Sequence, residues 1–176
     1  WSNVPGLDDG EEGDYLTDIL TDKAIEFITT HRDGPFYLNL WYYTVHTPIE
    51  ARKDKVEKYR QKVNALGLDK TMEDVVPEHD SFTRAHQDNA PYAAMVESMD
   101  ENVGRLLDTL KDLHIENDTI VIFLSDNGGL STGPDPQSPT SNRPLRAGKG
   151  WVYEGGIRVP LIIRYPGTVR AGVKSA

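Results

Sequence analysis

Cysteine is absent from the 176 residues, so the chain has no disulfide framework and no thiol chemistry, and redox gives no hint of its compartment. No run approaches the roughly 18 apolar residues of a membrane span, so no membrane partner is expected. The first residues do not have the pattern of a signal peptide. With Trp1 in place of an initiator Met, the chain reads as beginning partway through a longer polypeptide. A basic excess is also missing. There are 19 Lys and Arg against 28 Asp and Glu, a net charge of −9, which argues against a nucleic-acid partner. What is present, 38% hydrophobic and 27% charged residues, is ordinary for a globular protein with one domain and a sizeable core.

The charge is unevenly spread. From Arg143 to Ala176 there are seven basic residues and one acidic residue, Glu154. A basic stretch inside an acidic chain suggests a local anion site, and equally fits solvated strands with Lys and Arg outward.

No internal repeat is visible, and residues 1–13 form a Gly- and Asp-rich lead-in. Leu16, Ile19, Leu20, Ala24, Phe27 and Ile28 recur at helical spacing, which predicts a helix over Tyr15–Thr30, stopped by Asp33-Gly34-Pro35. Phe36–Tyr43 reads as a buried strand followed by a loop with His46-Thr47-Pro48. Residues 52–66 carry the thin stripe of a surface helix ended by Gly67, and 67–90 look polar and irregular. Tyr92, Met95, Met99, Val103, Leu106, Leu110 and Leu113 predict the strongest helix of the chain. Thr119–Leu124 reads as a short strand that stops at Ser125-Asp126-Asn127-Gly128. A Gly/Pro/Ser-rich loop follows over 129–150, then a strand over Ile157–Tyr165 in which Pro160 marks an edge or bulge. This alternation predicts an α/β fold with a largely parallel mixed sheet flanked by helices, ligands gathering beyond the strands' carboxyl ends. His46 and the Asp126-Asn127 pair both sit at such ends.

Asp126 and Asn127 offer a carboxylate and an amide oxygen, hard donors that suit Ca²⁺ or Mg²⁺, although Asn-Gly is also a favoured turn pair. His46 can bind an anion or hand a proton to a leaving group, or simply be an exposed loop histidine. Lys149 lies between Gly148 and Gly150, which would let a ligand approach the backbone closely while the ammonium supplies charge. Asn117-Asp118-Thr119 fits a glycosylation sequon.

In order along the chain, Tyr15-Leu16-Thr17-Asp18, Phe36-Tyr37-Leu38, His46-Thr47-Pro48, Ser125-Asp126-Asn127-Gly128 and Leu145-Arg146-Ala147-Gly148-Lys149-Gly150 resemble the sulfatase family. The next stretch, Tyr153-Glu154-Gly155-Gly156-Ile157-Arg158-Val159-Pro160, is the most specific, with Val159 where a Glu is frequent. The resemblance runs from about Tyr15 to Gly167. It implies an alkaline-phosphatase-like fold and makes residues 1–176 the C-terminal part of a sulfatase catalytic domain. It also implies that Asp126 and Asn127 are ligands of an active-site Ca²⁺, and that His46 and Lys149 are catalytic residues contacting the sulfate and the bridging oxygen. A periplasmic, secreted or lysosomal location goes with the family.

The departures are as informative. The family's formylglycine arises from the first residue of Cys-x-Pro-x-Arg or Ser-x-Pro-x-Arg, and neither pattern occurs here. Ser138-Pro139 and Ser141-Asn142-Arg143-Pro144 do not fit it. Asp8-Asp9 does not match the family's first aspartate pair, because Val4-Pro5-Gly6-Leu7 is no strand. The expectation is therefore a sulfuric ester hydrolase segment, inactive alone, with weak or absent Ca²⁺ binding. Its partners would be a sulfate-ester substrate in the full-length context, the missing N-terminal half of the domain, and possible further copies of itself. Two alternatives stay open: a phosphoric or phosphonic ester hydrolase of the same superfamily, and a non-catalytic binding module derived from a sulfatase.

Overall fold

A computed structural model of the chain describes residues 4–7, 9–68, 75–134 and 136–174. Three helices form its main layer: α1 (Leu16–His31), α2 (Lys53–Ala65) and, after a hairpin, α3 (Ala90–Asp112). The hairpin strands are β1 (Val75–Glu78) and β2 (Ser81–Arg84). Then come β3 (Val121–Leu124), β4 (Thr132–Gly133), the single turn α4 (Glu154–Ile157) and β5 (Leu161–Arg164).

Asn89 starts α3 by accepting a hydrogen bond from the Tyr92 N–H (3.0 Å), with Pro91 in the first turn, where its missing N–H costs nothing. Both α1 and α2 pack against α3. The buried seam is only partly the apolar stripe the spacing predicts: Ala24, Ile28, Met95 and Leu110 are buried, and polar side chains share the seam with them. On α1 it is Thr17, Thr21, Ala24 and Ile28, and on α3 it includes Ala94, Met95, Ser98 and Asn102. Small side chains bring the helices close, and hydrogen bonds repay the buried polar groups. Asn102 Nδ2 donates to Asp18 Oδ1 (2.6 Å) and to the Ser98 carbonyl (2.8 Å). Asp18 also accepts from Arg52 Nη1 (3.0 Å), so one carboxylate joins α1, α3 and the entry to α2.

The α/β class is as expected, and the parallel sheet is not. The three ladders, β1–β2, β2–β4 and β3–β5, are all antiparallel. Parallel neighbours need a crossover of a dozen or more residues. The hairpin returns in two, too few for that; between β3 and β5 the connection is long enough, but its helix among the described residues is the single turn α4, too short to serve as a crossover helix. The expected strand Phe36–Tyr43 forms no ladder among the described residues, and Tyr37, Trp41 and Tyr43 stay exposed. That segment is tied to α1 instead, where Thr21 Oγ1 and the Tyr42 hydroxyl lie 2.7 Å apart and the Thr17 and Thr44 hydroxyls pair. The expected strand Ile157–Tyr165 splits, because Ile157 closes α4 and Pro160 brings no N–H to a ladder, leaving Leu161–Arg164. The hairpin and β4 lie in segments whose composition gave no strand signal. Asp8 and residues 69–74 lie outside the described residues.

Candidate functional site

Two glycine-bearing stretches interlock at the end of β3. The Gly128 N–H donates to the Gly156 carbonyl (2.9 Å), Lys149 N–H to Gly129 (3.1 Å) and Gly155 N–H to Arg146 (2.8 Å). The contact leaves no room for side chains. A Cβ on Gly128 would sit 1.7 Å from the Gly155 oxygen, and one on Gly156 2.0 Å from the Trp151 oxygen. The physical requirement behind Asp-Asn-Gly and Glu-Gly-Gly is this backbone-to-backbone approach.

Asn142 fastens the same junction from inside the 129–150 loop. Its Oδ1 accepts from the Gly129 N–H (3.2 Å), while Nδ2 donates to the carbonyls of Gly129 (2.7 Å) and Ala147 (3.1 Å) and to Ser131 Oγ (3.0 Å). Fully buried Ser131 in turn donates to the Ala147 carbonyl (2.9 Å). Ala147 holds a left-handed φ of 57° at 1% exposure, so the backbone entering Gly148 is fixed. Lys149 then stands on a tight turn, closed by the Trp151 N–H on the Gly148 carbonyl (3.0 Å), with Gly150 at φ 86°.

Lys149 Nζ lies 2.6 Å from His46 Nε2, across 103 residues of sequence. The tautomer follows from the other ring nitrogen. His46 Nδ1 faces the Thr47 carbonyl at 2.8 Å, which can only accept, so Nδ1 carries the proton and Nε2 accepts from the ammonium. The pair thus holds one positive charge, and Lys149 has no carboxylate partner among the described residues. Thr47 also lines a cavity of about 240 Å³ walled in part by Leu130, Pro134 and Pro139.

Asp126 and Asn127 follow β3, their turn closed by Ser125 Oγ donating to the Asn127 carbonyl (2.8 Å). Asp126 is exposed and its carboxylate has no hydrogen-bond or ion-pair partner among the described residues. No hydrogen bond joins it or Asn127 to His46 or Lys149 there. The structure therefore brings His46 and Lys149 together directly, and places Asp126 and Asn127 three and two residues before Gly129, the backbone partner of Lys149. Among the described residues no group of three His, Asp or Glu gathers as a metal centre.

The sequence reading missed Asn142, because its role lies in long-range backbone contacts. It also passed over a cluster beside Lys149. Glu78, at the end of β1, grips Arg146 through both carboxylate oxygens (2.6–3.1 Å). The Arg146 hydrogen bonds hold the Glu78 carboxyl below the usual glutamate range. Arg146 also lies over the Tyr153 ring at 3.8 Å. The tandem aromatics in Gly-Lys-Gly-Trp-Val-Tyr were the available signal.

A family description named Sulfatase matches residues 1–176. A sulfatase of Formosa agariphila is 39% identical over 165 residues, covering 88% of this chain and 26% of the relative. Human steryl-sulfatase is 33% identical, covering 92% and 23%, and human N-acetylgalactosamine-6-sulfatase 30% identical, covering 89% and 25%. The crystal structure of Ps i-CgsB in complex with k-i-k-neocarrahexaose superposes with a TM-score of 0.70 at 30% identity, covering 95% of this chain and 32% of that one. The PsFucS1 sulfatase from Pseudoalteromonas sp. gives 0.62 at 28%, covering 89% and 26%. The chain spans about a quarter of the length of these curated relatives.

Proposed function

The chain belongs to the sulfatase family, and from that premise we propose that it supplies the anion-holding part of a sulfuric ester hydrolase site within a longer polypeptide. The observation that carries this is the 2.6 Å approach of Lys149 Nζ to His46 Nε2. A lone loop histidine and a lone Gly-Lys-Gly are each unremarkable, and their meeting across the fold is not.

The chemistry follows from the hydrogen bonds. An ester sulfate entering beside Lys149 would exchange the ammonium's bond to a neutral imidazole for charge-assisted bonds to its own oxygens, which are stronger. His46 would then be released next to the bridging oxygen, its Nε2 free to exchange a proton with the alcohol half, while Nδ1–H stays anchored on Thr47. The glycine interlock and Asn142 keep Lys149 from following the substrate, which is positioning before the reaction begins.

Asp126 and Asn127 fit a Ca²⁺ site in kind: a partnerless carboxylate and an amide oxygen at a strand end are hard donors. They are two ligands where Ca²⁺ takes about six to eight, so residues beyond 1–176 or water would complete the shell. When bound, the metal would draw charge from a sulfuryl oxygen. With neither Cys-x-Pro-x-Arg nor Ser-x-Pro-x-Arg in the sequence, the nucleophile too would come from elsewhere in the polypeptide, and the chain alone would be inactive. The location proposed is periplasmic, secreted or lysosomal. Among the described residues no helix is long and apolar enough to cross a membrane.

The test is hydrolysis of sulfate and phosphate monoesters by the full-length protein. Turnover of the sulfate ester should fall by about a hundredfold or more in Lys149→Ala, and residues 1–176 alone should show none. Preference for the phosphate ester, sulfate-ester turnover indifferent to Lys149, or turnover by the isolated chain would overturn the proposal.

A further inference from the structure

Beside Lys149 stand aromatic rings that the sulfate-ester reading leaves unused. The turn that presents Lys149 ends at Trp151, and Tyr153 follows two residues on. Facing them is His79, at the tip of the β1–β2 hairpin, where its φ of 53° makes the two-residue turn. The three rings lie within 15° of parallel, with centroids 5.7 Å apart for His79–Trp151, 6.3 Å for Trp151–Tyr153 and 6.4 Å for His79–Tyr153. Three near-equal separations make a triangle, so no ring is sandwiched between the other two.

A clamp that only held the hairpin to the loop would bury these rings in one another. Instead the His79 side chain is 57% exposed, and Trp151 and Tyr153 are half-buried. The charge beside them is spent. Arg146 lies on Tyr153, but both oxygens of Glu78 hold it, so the wall is close to neutral. Lys149, one turn away, has no such counter-charge. Polar atoms border the rings: the Tyr153 hydroxyl lies 3.2 Å from His79 Nε2, and Glu78 stands behind.

We infer that Trp151, Tyr153 and His79 form the subsite for the alcohol half of the ester, and that its occupant is an uncharged saccharide ring carrying the sulfate held by Lys149. A pyranose has a flat C–H face for an aromatic ring and hydroxyls at its edge for the polar border. A wholly apolar alcohol would leave the Tyr153 hydroxyl and His79 Nε2 no partner but each other. Arg146 is held by both oxygens of Glu78, so it is not free to take a second sulfate on the same ring. The inference rests on the sulfate-ester reading for the group that binds at Lys149.

The experiment uses the full-length protein and three probes: a monosulfated disaccharide, its desulfated counterpart and inorganic sulfate. Trp151→Ala should raise KM for the monosulfated disaccharide, and the Kd of the desulfated one by calorimetry, about tenfold, the loss of one ring contact. Inhibition by inorganic sulfate should be unchanged, and Trp151→Phe should restore most of the binding. Lys149→Ala should do the opposite, losing sulfate inhibition while still binding the desulfated disaccharide. Disaccharide binding indifferent to Trp151→Ala would overturn the subsite, as would an equal loss of inorganic sulfate. If Lys149→Ala leaves sulfate inhibition untouched, the sulfate-ester reading fails, and the calorimetric arm still decides the ring subsite.

Discussion

Replacing Asn142 separates the role of its amide from that of its bulk. In Asn142→Ala four hydrogen bonds disappear, but not every partner is orphaned. The Gly129 carbonyl keeps the Lys149 N–H (3.1 Å), and the Ala147 carbonyl keeps Ser131 Oγ (2.9 Å). The Gly129 N–H is left without a partner among the described residues. One unsatisfied donor costs about 1–3 kcal/mol, and with the weakened remainder the loss should be about 2–3 kcal/mol. Asn142→Asp has nearly the same shape and should be worse. It keeps the bond from Gly129 N–H, but turns a carboxylate oxygen toward two carbonyl oxygens now 2.7 and 3.1 Å from Nδ2. The side chain must repel them or take up a proton, so the cost should exceed that of the Ala variant, beyond about 3 kcal/mol. Chemical denaturation of the full-length protein at neutral pH should give midpoints in the order Asn, Ala, Asp, the gap between Ala and Asp closing in acid as the carboxyl protonates. An Asp variant as stable as the Ala variant at neutral pH would show that Asn142 does not hold this junction through its amide.

Calorimetry on residues 1–176 should find Ca²⁺ binding no tighter than about millimolar, because two protein ligands fall far short of a full shell; micromolar binding abolished by Asp126→Ala would contradict this. The Glu78–Arg146 pair sets a pH dependence. Because the pair lowers the Glu78 pKa, its contribution is complete above the ordinary glutamate value and is lost as pH falls through the lower, folded value. Glu78→Gln should therefore destabilise the protein at neutral pH and flatten the acid limb of its melting profile, and an unchanged profile would count against the pair. The β3–β5 ribbon leaves Ile122, Leu124, Leu161 and Ile162 more than half exposed, so the isolated chain should self-associate in sedimentation experiments. A monomer at high concentration that unfolds cooperatively would refute this.

The three long helices were readable from their periodic patterns, and α1 and α2 also from a local stop. Even so, their buried faces were legible only in part: Ala24, Ile28, Met95 and Leu110 followed the spacing, while Thr17, Thr21, Ser98 and Asn102 are buried through hydrogen bonds that no hydropathy pattern encodes. His46, Lys149, Asp126 and Asn127 were nameable one by one from chemistry and resemblance. Their arrangement was not, since the contact between His46 and Lys149 spans 103 residues. Phe36–Tyr43 failed as a strand for a physical reason of another kind. Its composition favours a sheet, but a strand needs a partner's backbone, and the described residues offer none. Its exposed Tyr37 and Trp41 resemble the exposed ribbon of β3 and β5, where apolar side chains also lack cover.

These two uncovered regions bear on the site itself. His46 follows the unpaired Phe36–Tyr43 segment, and Asp126 follows the ribbon strand β3, so both candidate groups hang from backbone that is only partly held. Lys149 differs, because Asn142, Ser131 and the glycine interlock fix its turn within the chain. Lys149 is thus built locally, while His46 and the Asp126-Asn127 pair would depend on whatever completes the sheet. Any partner that pairs with Phe36–Tyr43 would therefore stabilise His46 against Lys149, coupling assembly of the sheet to assembly of the site. Protection of the Tyr43 to His46 amides from hydrogen exchange should rise together with the sheet's in the full-length protein and be low in residues 1–176 alone. Equal protection of those amides in both would mean that the 2.6 Å contact is held by α1 through Thr17 and Thr21 without help from the sheet.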